Sequence, residues 1–151
     1  MTESLSAQAR AEKSAAVMMA RDAASKALGM TIDHIAPGQA SLSMRVTDAM
    51  LNGHGICHGG YIFTLADSAF AFACNSFNQL TVAQQNQITY LEPVRLNDHL
   101  TAHAARVSGG GRSGVYDVRV TTADGTTAAV FRGLSRTIKG QHFPEDDGAP
   151  E

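Results

Sequence analysis

Tyr61-Ile62-Phe63-Thr64-Leu65-Ala66-Asp67-Ser68-Ala69-Phe70-Ala71-Phe72-Ala73-Cys74-Asn75-Ser76-Phe77 is an almost wholly apolar run that follows directly on Asn52-Gly53-His54-Gly55-Ile56-Cys57-His58-Gly59-Gly60. A helix over Gly59 to Phe77, hydrophobic nearly all round, is expected to be buried on every side and to lie at the centre of the fold. One residue breaks the pattern. Aspartate is rarely fully buried unless paired, and an unpaired buried charge costs roughly several kcal/mol or shifts its pKa. Asp67 therefore has a partner or faces a wet cavity, and in a cavity it becomes a catalytic candidate.

The flanking sequence says what surrounds this helix. Upstream, Ser4 to Leu28 places Ala16, Met19, Ala20, Ala23, Ala24 and Ala27 at helical spacing, so an amphipathic helix ending near Gly29 is expected. Met30 to Ile35 and Ala40 to Val46 read as a hairpin around Pro37-Gly38. Downstream come four strand candidates: Thr81 to Glu92, His99 to Val107, Val115 to Thr122 and Thr127 to Ile138, the last two joined through Asp124-Gly125. One helix between an initial hairpin and later strands implies an α+β layout, an antiparallel sheet wrapped around a long central helix. No internal repeat and no βαβ pattern is present. The expected organisation is one domain: residues 29–139, with the helix over 1–28 packed as part of it, and a disordered acidic tail over 140–151.

Composition narrows the function classes. The 151 residues carry a net charge of −2, and the basic residues are scattered, which argues against nucleic acid or an anionic membrane surface as a partner. No stretch reaches the run of about 20 apolar residues that spans a bilayer, and the first thirty residues lack the apolar core of a signal peptide. Two cysteines without zinc-finger spacing fit a reducing, cytoplasmic location.

Gly59 and Gly60 fall at the start of the helix, where orphan N–H groups and the positive end of the macrodipole can stabilise an oxyanion. Without side chains they would let a thioester or ester carbonyl approach the backbone; the plainer alternative is that they only permit a tight turn. Asp67 lies seven residues beyond Gly60, about 10.5 Å along the axis and nearly on the same face. One chain cannot bring both to a single reacting carbon, where each must be about 3 Å away. A second chain packed antiparallel can, so a two-fold homodimer with two composite sites is expected. Asn52, His54 and His58 could orient water or substrate, or merely bond their own loop. Metal binding by His54, His58 and Asp67 lacks a recognised spacing. Cys57 and Cys74 read as small apolar fillers rather than nucleophiles. Phe63 and Phe70 flank Asp67 at i−4 and i+3, placed to raise its pKa by desolvation and to wall an acyl pocket.

Gly53-His54-Gly55-Ile56-Cys57-His58-Gly59-Gly60 followed by Leu65-Ala66-Asp67-Ser68-Ala69-Phe70 resembles the phenylacetic acid degradation thioesterases of the hotdog-fold superfamily. Gly114-Val115-Tyr116-Asp117 and Val130-Phe131-Arg132-Gly133 extend the likeness over about Gly29 to Lys139. The resemblance implies a hotdog fold, dimers that pair into tetramers, and hydrolysis of acyl-CoA, notably phenylacetyl-CoA and ring-hydroxylated relatives, without metal or organic cofactor. By the same resemblance, Asp67 is the catalytic carboxylate, as general base or nucleophile. Gly59 is the oxyanion donor, His58 and Asn52 orient thioester and water, and Ser68 supplies the hydroxyl after the carboxylate. Gly60, Phe63, Arg112 and Ser113 complete the expected substrate-binding set, with Arg112 and Arg95 as candidates for the CoA phosphates. Hydratases of this fold carry a histidine five residues after the aspartate; Phe72 stands there, which disfavours that chemistry. Thioesterase action on other aromatic or medium-chain acyl-CoAs, and non-catalytic acyl-CoA binding, are the alternatives.

Overall fold

A computed structural model describes residues 4–146. Helix α1 (Ala7–Arg21) starts where the Ser6 hydroxyl accepts from the Ala9 N–H at 3.1 Å. The expected single N-terminal helix is in fact two. Asp22 leaves helical geometry and turns its carboxylate onto the Ser25 N–H at 2.9 Å, capping α2 (Ala23–Ala27). Strands β1 (Thr31–Ala36) and β2 (Gln39–Arg45) form the expected hairpin, whose turn needs a positive φ of 71° at Gly38. Helix α3 (Gly59–Cys74) follows, and then β3 (Thr81–Tyr90), β4 (His99–Gly110), β5 (Ser113–Thr121) and β6 (Thr127–Thr137).

Helix α3 stops three residues short of Phe77 because Asn75 offers its backbone a competing set of bonds. Its side-chain nitrogen donates to the Ala71 and Thr81 carbonyls, and its Oδ1 accepts from the Thr81 N–H at 2.9 Å. One side chain thus ends the helix and aims the chain into β3.

The six strands form one antiparallel sheet in the order β1-β2-β4-β5-β6-β3, and α3 packs against all of them. This is the hotdog arrangement. The period of two sends alternate residues toward the helix, so cross-strand rows such as Ile88-Phe131-Val118-Ala104 and Tyr90-Ala129-Val120-Ala102 floor the core. Ala66, Ala69 and Ala73 are fully buried and bring the helix backbone close to that floor. In the neighbouring row Gly133 leaves space for the Phe70 ring; a Cβ there would lie 2.7 Å from it. Phe70 then stacks edge-on against Tyr116, at 5.6 Å between ring centres.

Residues 140–146, expected as the start of a disordered tail, pack instead. Phe143 is buried beneath the Lys13 ammonium, and Glu145 receives a bidentate bond from Arg10 with a closest approach of 2.8 Å. The Asn78 carboxamide, on a left-handed backbone at φ 59°, accepts from the His142 and Phe143 N–H groups. Composition pointed to a polar tail, but Phe143 supplies an apolar anchor and Arg10 a counter-charge. Residues 147–151, the rest of that expected tail, lie outside the described residues.

The sheet ends on β3. Its outer edge is uncovered, and Val82, Tyr90 and Leu91 stand about half exposed on or beside it.

Candidate active site

Asp67 sits midway along α3, half-buried, facing β3. Asn86 donates its Nδ2 to Asp67 Oδ1 at 2.9 Å, whereas Oδ2 has no partner among the described residues and stays open to solvent. Desolvation raises the Asp67 pKa above its ordinary value, and the Asn86 bond partly opposes the rise. Asp67 has both a partner and an open side. Asn86 is the residue that sequence reasoning missed: nothing in a polar run Gln84-Gln85-Asn86-Gln87 tells which member turns inward until register places Asn86 beside Gly133.

The helix start is built as expected, with a different division of labour. His58 caps α3, its Nδ1 accepting the Gly60 N–H at 2.9 Å, which leaves Nε2 as the protonated nitrogen facing outward. Gly60 is therefore occupied as a donor. The Gly59 N–H donates to nothing among the described residues, so one orphan amide remains at the positive end of the helix. Space beside Gly59 is filled by Tyr90, whose hydroxyl donates to the Gly59 carbonyl at 2.7 Å and whose ring a Cβ would meet at 2.8 Å. The glycine is demanded by a tyrosine packed on its α-carbon, while its amide stays free.

Asn52 spends Oδ1 on the His54 and Ile56 N–H groups, shaping the loop, and keeps Nδ2 unbonded among the described residues. Ser68 points away from the carboxylate. Its hydroxyl lies 2.9 Å from that of Ser25, whose own proton goes to Asp22 at 2.7 Å, so Ser68 donates to Ser25 and ties α3 to α2. Helical geometry explains this, since neighbours on a helix diverge by about 100°. Phe63 packs edge-on against Phe131 at 5.5 Å, part core and part wall. Arg112 and Ser113 are exposed at the β4–β5 turn, beside a cleft of about 300 Å³ that Cys74, Phe77 and Arg106 help to line. They stand at the opposite end of α3 from Gly59. Arg95 is likewise on the surface.

Both cysteines are buried and free, and burial pushes their thiols up to about 11 at Cys57 and about 12 at Cys74, so neither is a ready thiolate. Among the described residues no three His, Cys, Asp or Glu side chains converge as a metal site, and no helix is long and apolar enough to cross a membrane.

Asp67 and Gly59 are eight residues apart on one unbroken helix, about 12 Å along its axis. β3 spans the same interval: Asn86 holds Asp67, and four residues on, about 13 Å along the strand, Tyr90 holds Gly59. A carboxylate with one free oxygen and an unpaired helix N–H are the two parts acyl transfer needs.

Comparison with known proteins agrees with this chemistry. The profile described as Thioesterase superfamily matches residues 54–129. The acyl-coenzyme A thioesterase PaaI of Escherichia coli (strain K12) is 44% identical over 131 residues, covering 87% of this chain and 94% of that protein. The structure of the E. coli PaaI protein from the phenylacetic acid degradation operon superposes with a TM-score of 0.89 at 43% identity, covering 90% of this chain and 99% of that one. A hypothetical thioesterase from Streptococcus pneumoniae, solved with coenzyme A, is similar at a TM-score of 0.70 and 29% identity, over 74% of this chain and 87% of that one. The chain belongs to the PaaI-like acyl-CoA thioesterases of the hotdog-fold thioesterase superfamily.

Proposed function

We propose that this protein hydrolyses phenylacetyl-CoA and its ring-hydroxylated relatives to the free acid and CoA, at composite sites formed by two chains in the cytoplasm. The observation that carries the reading is the pair of unspent groups on α3, Asp67 Oδ2 and the Gly59 N–H, too far apart to serve one carbon within one chain. In the proposed site the Gly59 N–H of the partner chain donates to the thioester oxygen as negative charge develops there. Asp67 Oδ2 either takes the proton from an attacking water or attacks the carbonyl carbon itself. The carbon–sulfur bond breaks and the CoA sulfur leaves and gains a proton; in the first case the water oxygen joins the acid directly, and in the second water hydrolyses the acyl–Asp67 anhydride to release the acid and restore the carboxylate. His58 Nε2 and Asn52 Nδ2 are the remaining donors available to orient substrate, and Phe63 walls the acyl group. Similarity to the E. coli relative of the phenylacetic acid degradation operon supports the aromatic substrate.

A long uncovered edge strand invites pairing with another chain, and half-exposed Val82, Tyr90 and Leu91 on or beside β3 favour a second copy there. Two-fold pairing that brings Asp67 to the partner's Gly59 also brings Asn86 opposite the partner's Tyr90, which puts Ile88 on the axis. Such dimers are proposed to pair into tetramers. A panel of aryl, hydroxyaryl and straight-chain CoA esters, read by thiol release, tests the assignment. The expected result is the highest kcat/KM for phenylacetyl and hydroxyphenylacetyl esters, with turnover lost and binding kept in Asp67→Asn. Equal turnover of straight-chain esters would refute the aromatic assignment, and an active Asp67→Asn the site.

A further inference from the structure

Resting on that reading of Asp67, we propose that Asn86 is a positioning residue of the thioesterase site, whose carboxamide pins one oxygen of Asp67 and thereby presents the other to the thioester. Two observations carry it. Asn86 Nδ2 meets Asp67 Oδ1 at 2.9 Å, within hydrogen-bond range and aimed from the strand that floors the helix. Asn86 Oδ1 is buried and no donor faces it among the described residues. The carboxamide costs the fold an unpaired buried oxygen, and the one hydrogen bond it makes among the described residues goes to Asp67.

What the amide gains at that cost is control of the carboxylate. A donor on Oδ1 favours the ionised form, opposing the burial that disfavours it, and fixes the rotation of the carboxyl group about its side chain. The free oxygen then has a set direction, out of the sheet and toward the proposed reacting carbon. In this role Asn86 acts through Asp67, the residue its side chain bonds. Its place on the face of β3 toward α3, in the row with Gly133 and Tyr116, keeps it rigid.

Asn86→Leu and the nearly isosteric Asn86→Asp separate this role from packing, each assayed on phenylacetyl-CoA beside Asp67→Asn. In Asn86→Leu the expected result is a kcat about 10- to 100-fold lower with KM little changed and an acid limb of the pH profile moved to higher pH. In Asn86→Asp a second carboxylate 3 Å away should move that limb further up. Parental kcat and acid limb in both variants, with Asp67→Asn inactive, would overturn the positioning role while leaving the catalytic assignment intact. An active Asp67→Asn would overturn the assignment on which it rests.

Discussion

At the scale of single residues the account turns on which polar atoms are spent and which are left over. Asp67 Oδ1, Gly60 N–H and Asn52 Oδ1 are spent inside the chain; Asp67 Oδ2, Gly59 N–H and Asn52 Nδ2 are not. Because burial raises the Asp67 pKa, the ionised form that the proposed chemistry needs is filled only above the ordinary carboxylate value of 3.8. kcat/KM should therefore rise with pH along a limb lying above that value, and a limb at or below it would contradict the environment described. The sign for stability is opposite: a carboxyl whose folded pKa is raised costs stability above that pKa and regains it as pH falls through it. Asp67→Asn should accordingly be at least as stable as the parent at pH 7 in a denaturant titration, an inactive protein that is no weaker. Asp67 and the glycine pair were legible in the sequence because a charge in an apolar run and a Gly-Gly at its head are local anomalies. Asn86, the Ser25 partner of Ser68 and the tyrosine on Gly59 were not, since each depends on strand register or on a helix over 40 residues away.

Among the elements, α3 and β3 act as matched rulers, with the carboxylate and the helix start held at two points of the same strand. The strands and the central helix followed from period two and period 3.6 in the sequence, and their boundaries shifted only where a side chain redirected the backbone. Asp22 cut the first helix and Asn75 ended the third by bonding neighbouring N–H groups, an effect of geometry that hydrophobic pattern does not encode. The spacing between ruler and helix is set by Gly133 beneath Phe70, one turn from Asp67. Gly133→Ala places a methyl 2.7 Å from that ring. It is expected to cost roughly 1–3 kcal/mol through overpacking and to lower activity as Phe70 is pushed against the turn carrying Asp67. Chemical denaturation and thiol release check both, and a fully stable, fully active variant would show the helix free to rise from the sheet.

For the whole molecule, one chain closes around its own core, while the proposed site needs a second. Its core, its capped helices and the Arg10–Glu145 bond between its first helix and its last described residues close the structure on itself. Among the described residues the β3 edge, with exposed apolar groups beside it, is left open. In the sequence, the seven-residue spacing from Gly60 to Asp67 pointed to a second chain, because that length of helix cannot be folded back on one carbon. Nothing in composition indicated which edge would receive that chain. The most direct measurement of this central claim is complementation between two inactive proteins, Asp67→Ala and Gly59→Pro, the second lacking the amide hydrogen at the helix start. Unfolded together in equal amounts and refolded, they should give about one quarter of parental activity, since half the dimers are mixed and each holds one intact site of two. A mixture no more active than the two proteins refolded separately would contradict a site shared between chains.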